Sequence, residues 1–149
     1  MCLFLLPFNL FLPNIINNIY TNEDNSMNNP DDLSLDFDVI IKNLRDKLGS
    51  GLYFVIIASE NGAVIKASIN EKEFNKASIS LITSQNYELA EDITSEMGIH
   101  EPDFNVIHSD NFYILSIKML NQIVIFLIED QIEISKIFTI INESMTQSK

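Results

Sequence analysis

The sequence predicts an α+β fold, a five-stranded antiparallel sheet with helices on its faces. Five strand-length runs rich in β-branched and aromatic residues occur between Leu52 and Glu129, and short turns join most of them. Three segments with helical spacing of apolar residues give the order α-β-β-α-β-β-β-α. The chain has 149 residues and a hydrophobic content of 46%, which suits one domain with a buried core.

The first helix is predicted between Asp36 and Leu48. Its apolar residues recur at spacings of three and four and define one face: Phe37, Ile40, Ile41, Leu44 and Leu48. Ser34 or Asp36 can cap its start, because a short side-chain oxygen accepts a hydrogen bond from a free backbone N–H group. The glycines of segment 49–51 end it, since glycine accommodates the left-handed conformation that closes a helix.

A hairpin follows, with strands at Leu52–Ser59 and Ala63–Ser68 around the loop Glu60-Asn61-Gly62. Asn-Gly between two strand-like runs predicts a type I′ turn, in which both residues take a positive φ. The first strand is continuously apolar, which is typical of a central strand covered on both faces. The second strand alternates and contains Lys66, as an outer strand does.

A long helix is predicted for residues 71–97, a segment without glycine or proline that ends at Gly98. Its apolar stripe is narrow, and it consists of Phe74, Ala77, Leu81, Ala90, Ile93 and Met97. Small polar residues fill its middle, which makes the helix weak by itself in water but lets another helix approach closely. We therefore expect it to pack against another element or a second subunit.

The remaining strands are predicted at Phe104–His108, Phe112–Met119 and Ile123–Glu129, joined by turns short enough for an antiparallel meander. A closing amphipathic helix follows, and its apolar face consists of Ile132, Ile137, Ile140, Ile141 and Met145. The predicted domain spans residues 33–149.

Residues 1–32 are predicted to be a tail. Residues 1–20 are apolar, but they lack the basic region and cleavage site of a secretory signal, and prolines and asparagines interrupt any membrane span. Three interpretations stay open: an unused upstream start with Met27 as the true start, an apolar peptide that docks on a partner or membrane, or an atypical signal. Residues 21–32 have the polar, acidic composition of a flexible linker.

Composition excludes several functions. The chain has 21 acidic and 9 basic residues, a net charge of −12, which opposes both nucleic acids and anionic membranes. Nucleic acid is not an expected partner, and a membrane is expected only if residues 1–20 are retained. Four scattered glycines provide no phosphate-binding loop.

The chain also lacks an evident catalytic or metal site. One cysteine and two histidines cannot form a disulfide or a cysteine-rich zinc site, and we expect no cofactor. His108, Ser109 and Asp110 are consecutive, so their side chains diverge and cannot form a catalytic relay. Tyr87 stands among small polar residues, a position typical either of an interface anchor or of an ordinary core or surface tyrosine.

The element order resembles that of the roadblock/dynein light chain domain family from Leu33 to Met145. Four features carry the resemblance, namely Asn61-Gly62, Ala67-Ser68, Ala77-Ser78 and the apolar run from Ile123 to Ile128. Longin-like and profilin-like domains share parts of this layout, although longins normally begin with strands.

The resemblance implies a non-catalytic module that pairs as a homodimer or as a heterodimer with a related chain. In that family the third strand extends the sheet across the dimer, the long helices pack together, and the platform binds Ras-like small GTPases or motor subunits. Carried over to this sequence, the dimer interface comprises Phe104, Val106, His108, Ala77, Leu81 and Ser84. A partner-binding surface comprises Tyr87, Glu88 and Glu91.

The resemblance therefore predicts a cytoplasmic dimerisation scaffold, peripheral at a membrane if the apolar tail is used, that regulates a small GTPase. The alternative is a longin-like or profilin-like adaptor in trafficking or cytoskeletal control. A third hypothesis, a small ligand-sensing or enzymatic domain, needs a polar pocket that the sequence does not reveal.

Overall fold

The computed structural model describes residues 36–69 and 74–147, and its elements follow the predicted order. The helices are α1 at Phe37–Leu48, α2 at Lys76–Glu96 and α3 at Ile134–Gln147, with a short 3-10 turn at Gly49–Gly51. The strands are β1 at Leu52–Ser59, β2 at Val64–Ile69, β3 at Phe104–Ser109, β4 at Phe112–Met119 and β5 at Gln122–Glu129. The predicted tail, the Ser34 cap and the predicted start of the long helix lie outside the described residues.

The five strands form one antiparallel sheet in the order β2-β1-β5-β4-β3. The predicted α+β class is thereby confirmed. Strand β1 pairs with both β2 and β5, and most of its residues are buried, as expected for a central strand. Strand β2 lies at one edge, as its alternating sequence predicts, and β3 lies at the other.

The chain divides into two compact units, and the smaller one contains α1 and α3. Asp36 caps α1, because its Oδ1 accepts hydrogen bonds from the backbone N–H groups of Asp38 and Val39. Asn43 Nδ2 donates to Ser144 Oγ over 2.9 Å, which joins the two helices. The predicted apolar faces of both helices supply the buried residues Ile40, Leu44, Ile137, Ile140 and Ile141.

The larger unit, residues 48–132, contains the sheet and α2. Alternate residues of β1 and β5 point to the face that α2 covers, and with Tyr87 they form a buried cluster: Phe54, Ile56, Ala58, Ile123 and Ile125. Phe74 closes one end, its ring packing edge-on against Phe54 at 5.3 Å between centroids. This cluster fixes which side of α2 faces inward.

The hairpin between β1 and β2 is confirmed, but its predicted type I′ turn is wrong. Ser59 and Ala63 close a three-residue loop, and Gly62 N donates to Ser59 O over 2.9 Å. Gly62 has a φ of +85°, whereas Asn61 is not among the residues with positive φ. A three-residue loop needs one left-handed residue at its end, and glycine supplies it at no steric cost.

The loop between β4 and β5 places a leucine in a backbone conformation that side chains disfavour. Leu120 has a φ of 56° and is 42% exposed. Because asparagine tolerates the left-handed region better than leucine, Leu120→Asn is expected to raise the free energy of unfolding by about 0.5 kcal/mol. Urea denaturation measures the change. Leu120→Ala is the control, because alanine, like leucine, disfavours a positive φ. An equal rise in the free energy of unfolding for Leu120→Ala would contradict the backbone explanation.

Candidate protein-interaction surface

Helix α2 presents mainly small polar residues to the sheet, together with Tyr87 and the half-buried Ile79. Its buried residues are Ser80, Thr83, Ser84 and Tyr87. Ser80 Oγ donates to the backbone oxygen of Gly62 over 2.8 Å. A Cβ added to Gly62 would lie 2.8 Å from the Cα of Leu81, so the helix backbone and the hairpin loop are nearly in contact. Small inward residues permit this close approach.

Four large apolar residues lie on the outer side of α2, three within the helix and Met97 at its C-cap. Ile82, Leu89, Ile93 and Met97 are 54–67% exposed. At about 100° per residue, spacings of seven, four and four place them within one face of the helix. We call these four residues the outer stripe. Soluble domains rarely leave such a contiguous row exposed unless it binds another protein.

The neighbouring edge of the sheet is unpaired within the described residues. Among the described strands, β3 pairs with β4 alone, so its other side is an edge at which a further strand could add to the sheet. Asn105 Nδ2 donates to Asn86 Oδ1 of α2, which places the outer stripe beside this strand. Ile107, two residues further, points to the same side and is 42% exposed. The outer stripe, Ile107 and the free edge of β3 form what we call the association surface.

The predicted dimer-interface residues on β3 share its edge with this surface, but their side chains alternate with Asn105 and Ile107 and point to the other face of the sheet. Phe104 and Val106 are half-buried on β3, and His108 is exposed near its end. Ala77 and Leu81 are exposed on α2. Glu88 of the predicted partner surface is also exposed on α2.

Two predicted site residues need correction. Ser84 is buried inside the chain and faces the sheet, so it cannot contact a second subunit in this conformation. Tyr87 is 1% exposed, and its hydroxyl donates to the backbone oxygen of Pro102 over 2.6 Å. Burial, reinforced by the nearby Glu91 carboxylate, raises the pKa of Tyr87 to about 12. The ring is a core residue and not a surface anchor.

Glu91, the third predicted partner-binding residue, is half-buried in an ion-paired group. Lys118 of β4 extends its Nζ to Glu91 Oε1 at 2.7 Å and to Glu60 Oε1 at 3.3 Å. The hydrogen bond to Glu91 is the main cause that raises the pKa of Lys118. This ion-paired group therefore links α2, β4 and the loop between β1 and β2. Glu91 is paired with Lys118 within the chain.

Sequence reasoning missed Ile82, Leu89 and Ile107. The positions of Ile82 and Leu89 on one helix face could have been predicted, since the four residues of the outer stripe are spaced seven, four and four apart in the sequence. Ile107 was missed because the residues carried over on β3, Phe104, Val106 and His108, alternate with it and point to the other face of the sheet.

The histidine contacts and potential clusters of metal ligands were the other candidate features of the described part of the chain. Residues 36–69 and 74–147 contain no group of three or more side chains suited to hold a metal ion. His108 Nε2 lies 3.2 Å from Asp130 Oδ2, and its ring rests against Tyr113. No helix among the described residues is long and apolar enough to cross a membrane.

Comparison of the sequence with family models and with curated proteins finds no match. Solved structures do match its fold. MglB of Myxococcus xanthus is 11% identical and superposes with a TM-score of 0.64 over 74% of this chain and 89% of that one. A Roadblock/LC7 domain from Streptomyces avermitilis is 10% identical, with a TM-score of 0.63 over 76% and 93% of the two chains.

The chain has the roadblock/LC7 fold. A third structure, described as MglB with a tetrameric arrangement, gives a TM-score of 0.60 at 9% identity over 76% of this chain and 89% of that one. The predicted likeness to roadblock domains is thereby confirmed at the level of the fold, which spans most of the length of each matched structure.

Proposed function

We propose that this chain is a non-catalytic cytoplasmic scaffold that pairs with a roadblock-like chain through the association surface. The pair then binds and regulates a Ras-like small GTPase, as the family resemblance implies. The observation that carries the proposal is the outward orientation of the apolar side of α2 beside an unpaired strand edge. Burying both on a partner removes apolar surface from water and lets a strand of the partner add to the sheet beside β3.

Two further observations support it. Small inward residues let α2 lie close to the sheet, and Ser80 Oγ donates to Gly62 O over 2.8 Å, so the outer stripe belongs to a helix attached to the sheet. The match to MglB includes a structure in which that protein forms a tetrameric arrangement, which supports assembly as a property of this fold.

The test of pairing is the mass of the full chain in solution, against a monomer of 17.0 kDa. Light scattering coupled to size exclusion is run over a range of protein concentrations at about 0.5 M salt, where the screening length falls to roughly 4 Å and surface charges contribute little. We expect the mass to rise toward that of the dimer. Ile93→Asp places a carboxylate in the outer stripe and should weaken association about 30-fold or more.

Ile65→Asp is the matched control. Ile65 lies on β2, at the opposite edge of the sheet, and is 54% exposed, as is Ile93. It should associate as the natural chain does. Equal losses in the two variants would contradict pairing through the association surface. A monomer under all conditions would exclude self-pairing and leave either obligate pairing with a different chain or the longin-like or profilin-like adaptor.

The GTPase role is tested separately. The associated protein is mixed with the Ras-like GTPases of the same organism, each loaded with GTP or GDP, and co-elution is measured. We expect one nucleotide state to bind preferentially, because a regulator distinguishes the two conformations of the switch segments. Absence of binding to every GTPase would contradict the regulatory part of the proposal and leave the pairing intact.

A further inference from the structure

The association surface has a one-sided charge distribution. Glu88, Asp92 and Glu96 are exposed at intervals of four residues, and they form a row along one side of the outer stripe. The single basic residue of α2 is Lys76, at its first position. Glu101 and Asp103, exposed just after the helix, add two further carboxylates near its C-terminal end.

We infer that the natural partner at this surface is a different chain, which carries basic residues beside an apolar helix face, rather than a second copy of this one. The inference rests on the proposed function and specifies its partner. Complementary charge around an apolar centre fixes register and speeds encounter, whereas like charges brought together oppose binding. The net charge of −12 extends the same repulsion to the whole molecule.

Self-pairing leaves the acidic row without a matching number of basic residues in either orientation of the helices. In a parallel pair, the acidic row of one copy lies beside the acidic row of the other copy, and the two rows repel each other. In an antiparallel pair, the acidic half of α2 meets the N-terminal half of its twin, where Lys76 is the one cation of the helix. Three carboxylates then face one ammonium group. A basic partner removes this mismatch and leaves the apolar contact unchanged.

The experiment uses the chain itself, altered to supply the missing charge. The probe carries lysine at five exposed positions beside the stripe: Ser78→Lys, Gln85→Lys, Glu88→Lys, Asp92→Lys and Glu96→Lys. Because lysines lie in both halves of α2, the probe can face the acidic row of the natural chain in a parallel or in an antiparallel pair. The natural chain, labelled with a fluorophore on Cys2, its one cysteine, is titrated with unlabelled natural chain or with the probe at about 50 mM and 0.5 M salt.

We expect the probe to bind the natural chain at least about tenfold more tightly than the natural chain binds itself at the lower salt. Raising the salt should weaken the mixed pair and strengthen the self-pair, since screening reduces attraction and repulsion alike. The control replaces the three carboxylates by neutral amides, Glu88→Gln, Asp92→Asn and Glu96→Gln. It should self-associate more tightly than the natural chain.

Two results would overturn the inference, and they bear differently on the proposed function. A natural chain that pairs with itself as tightly as with the probe, with no gain at high salt, would leave the surface in place but make a second copy its partner. No association of any mixture, at either salt concentration, would reject the basic partner and the association surface together.

Discussion

Gly62→Ala is expected to lower the free energy of unfolding by about 3 kcal/mol, the sum of a left-handed backbone penalty and an overpacking cost. The φ of this residue is +85°, which an L side chain adopts only with strain. The added Cβ would also lie 2.8 Å from the Cα of Leu81, and a helix backbone cannot move aside as a flexible side chain does. The variant should also weaken the 2.8 Å hydrogen bond from Ser80 Oγ.

Gly49→Ala separates the two contributions. Gly49 has a φ of +57°, but no atom lies within 4 Å of an added Cβ, so the backbone penalty remains and the clash is absent. Urea denaturation should therefore show a loss of about 1 kcal/mol for Gly49→Ala. If both variants lost the same amount, the close approach between the hairpin loop and α2 would not be a source of instability.

The sequence predicts the element order well because each boundary has a local cause. Gly62 and Gly98 stand where the chain takes a positive φ, and both mark the ends of elements. The continuous apolar run of β1 indicates coverage on both faces, and β1 lies inside the sheet. The turn type was wrong because Asn-Gly also suits a three-residue loop in which glycine alone is left-handed.

The orientation of α2 was not predictable from periodicity. The apolar pattern gives a narrow stripe that includes Leu81 and Ile93, and the family resemblance places Leu81 and Ser84 together in a dimer interface. The structure separates them: Leu81 and Ile93 are exposed, whereas Ser84 is buried against the sheet, because the close approach of the α2 backbone to Gly62 favours small residues at that point. Tyr87 then fills the remaining space, which explains why an amphipathic ring among serines and threonines is a core residue.

Tyr87→Ala is the second large effect, with an expected loss of about 4 kcal/mol, because it empties the centre of the cluster between α2 and the sheet. Tyr87→Phe is milder and more informative. It keeps the ring and removes the hydroxyl that donates to Pro102 O, so its expected cost at pH 7 is about 1 kcal/mol. Chemical denaturation at a series of pH values measures both variants.

The gap between Tyr87→Phe and the natural chain should close as the pH rises. Burial raises the pKa of Tyr87 from 10.0 to about 12, so the folded state holds its proton more tightly than the unfolded state. The stability that depends on this proton is fully present below pH 10 and is lost between pH 10 and 12, at about 1.4 kcal/mol per pH unit. The pKa of Lys118 is also raised, so this lysine contributes a loss of stability at alkaline pH in both proteins. By pH 11 the two proteins should be about equally stable, whereas a gap that stays constant from pH 7 to 11 would show that water reaches the hydroxyl in the folded chain.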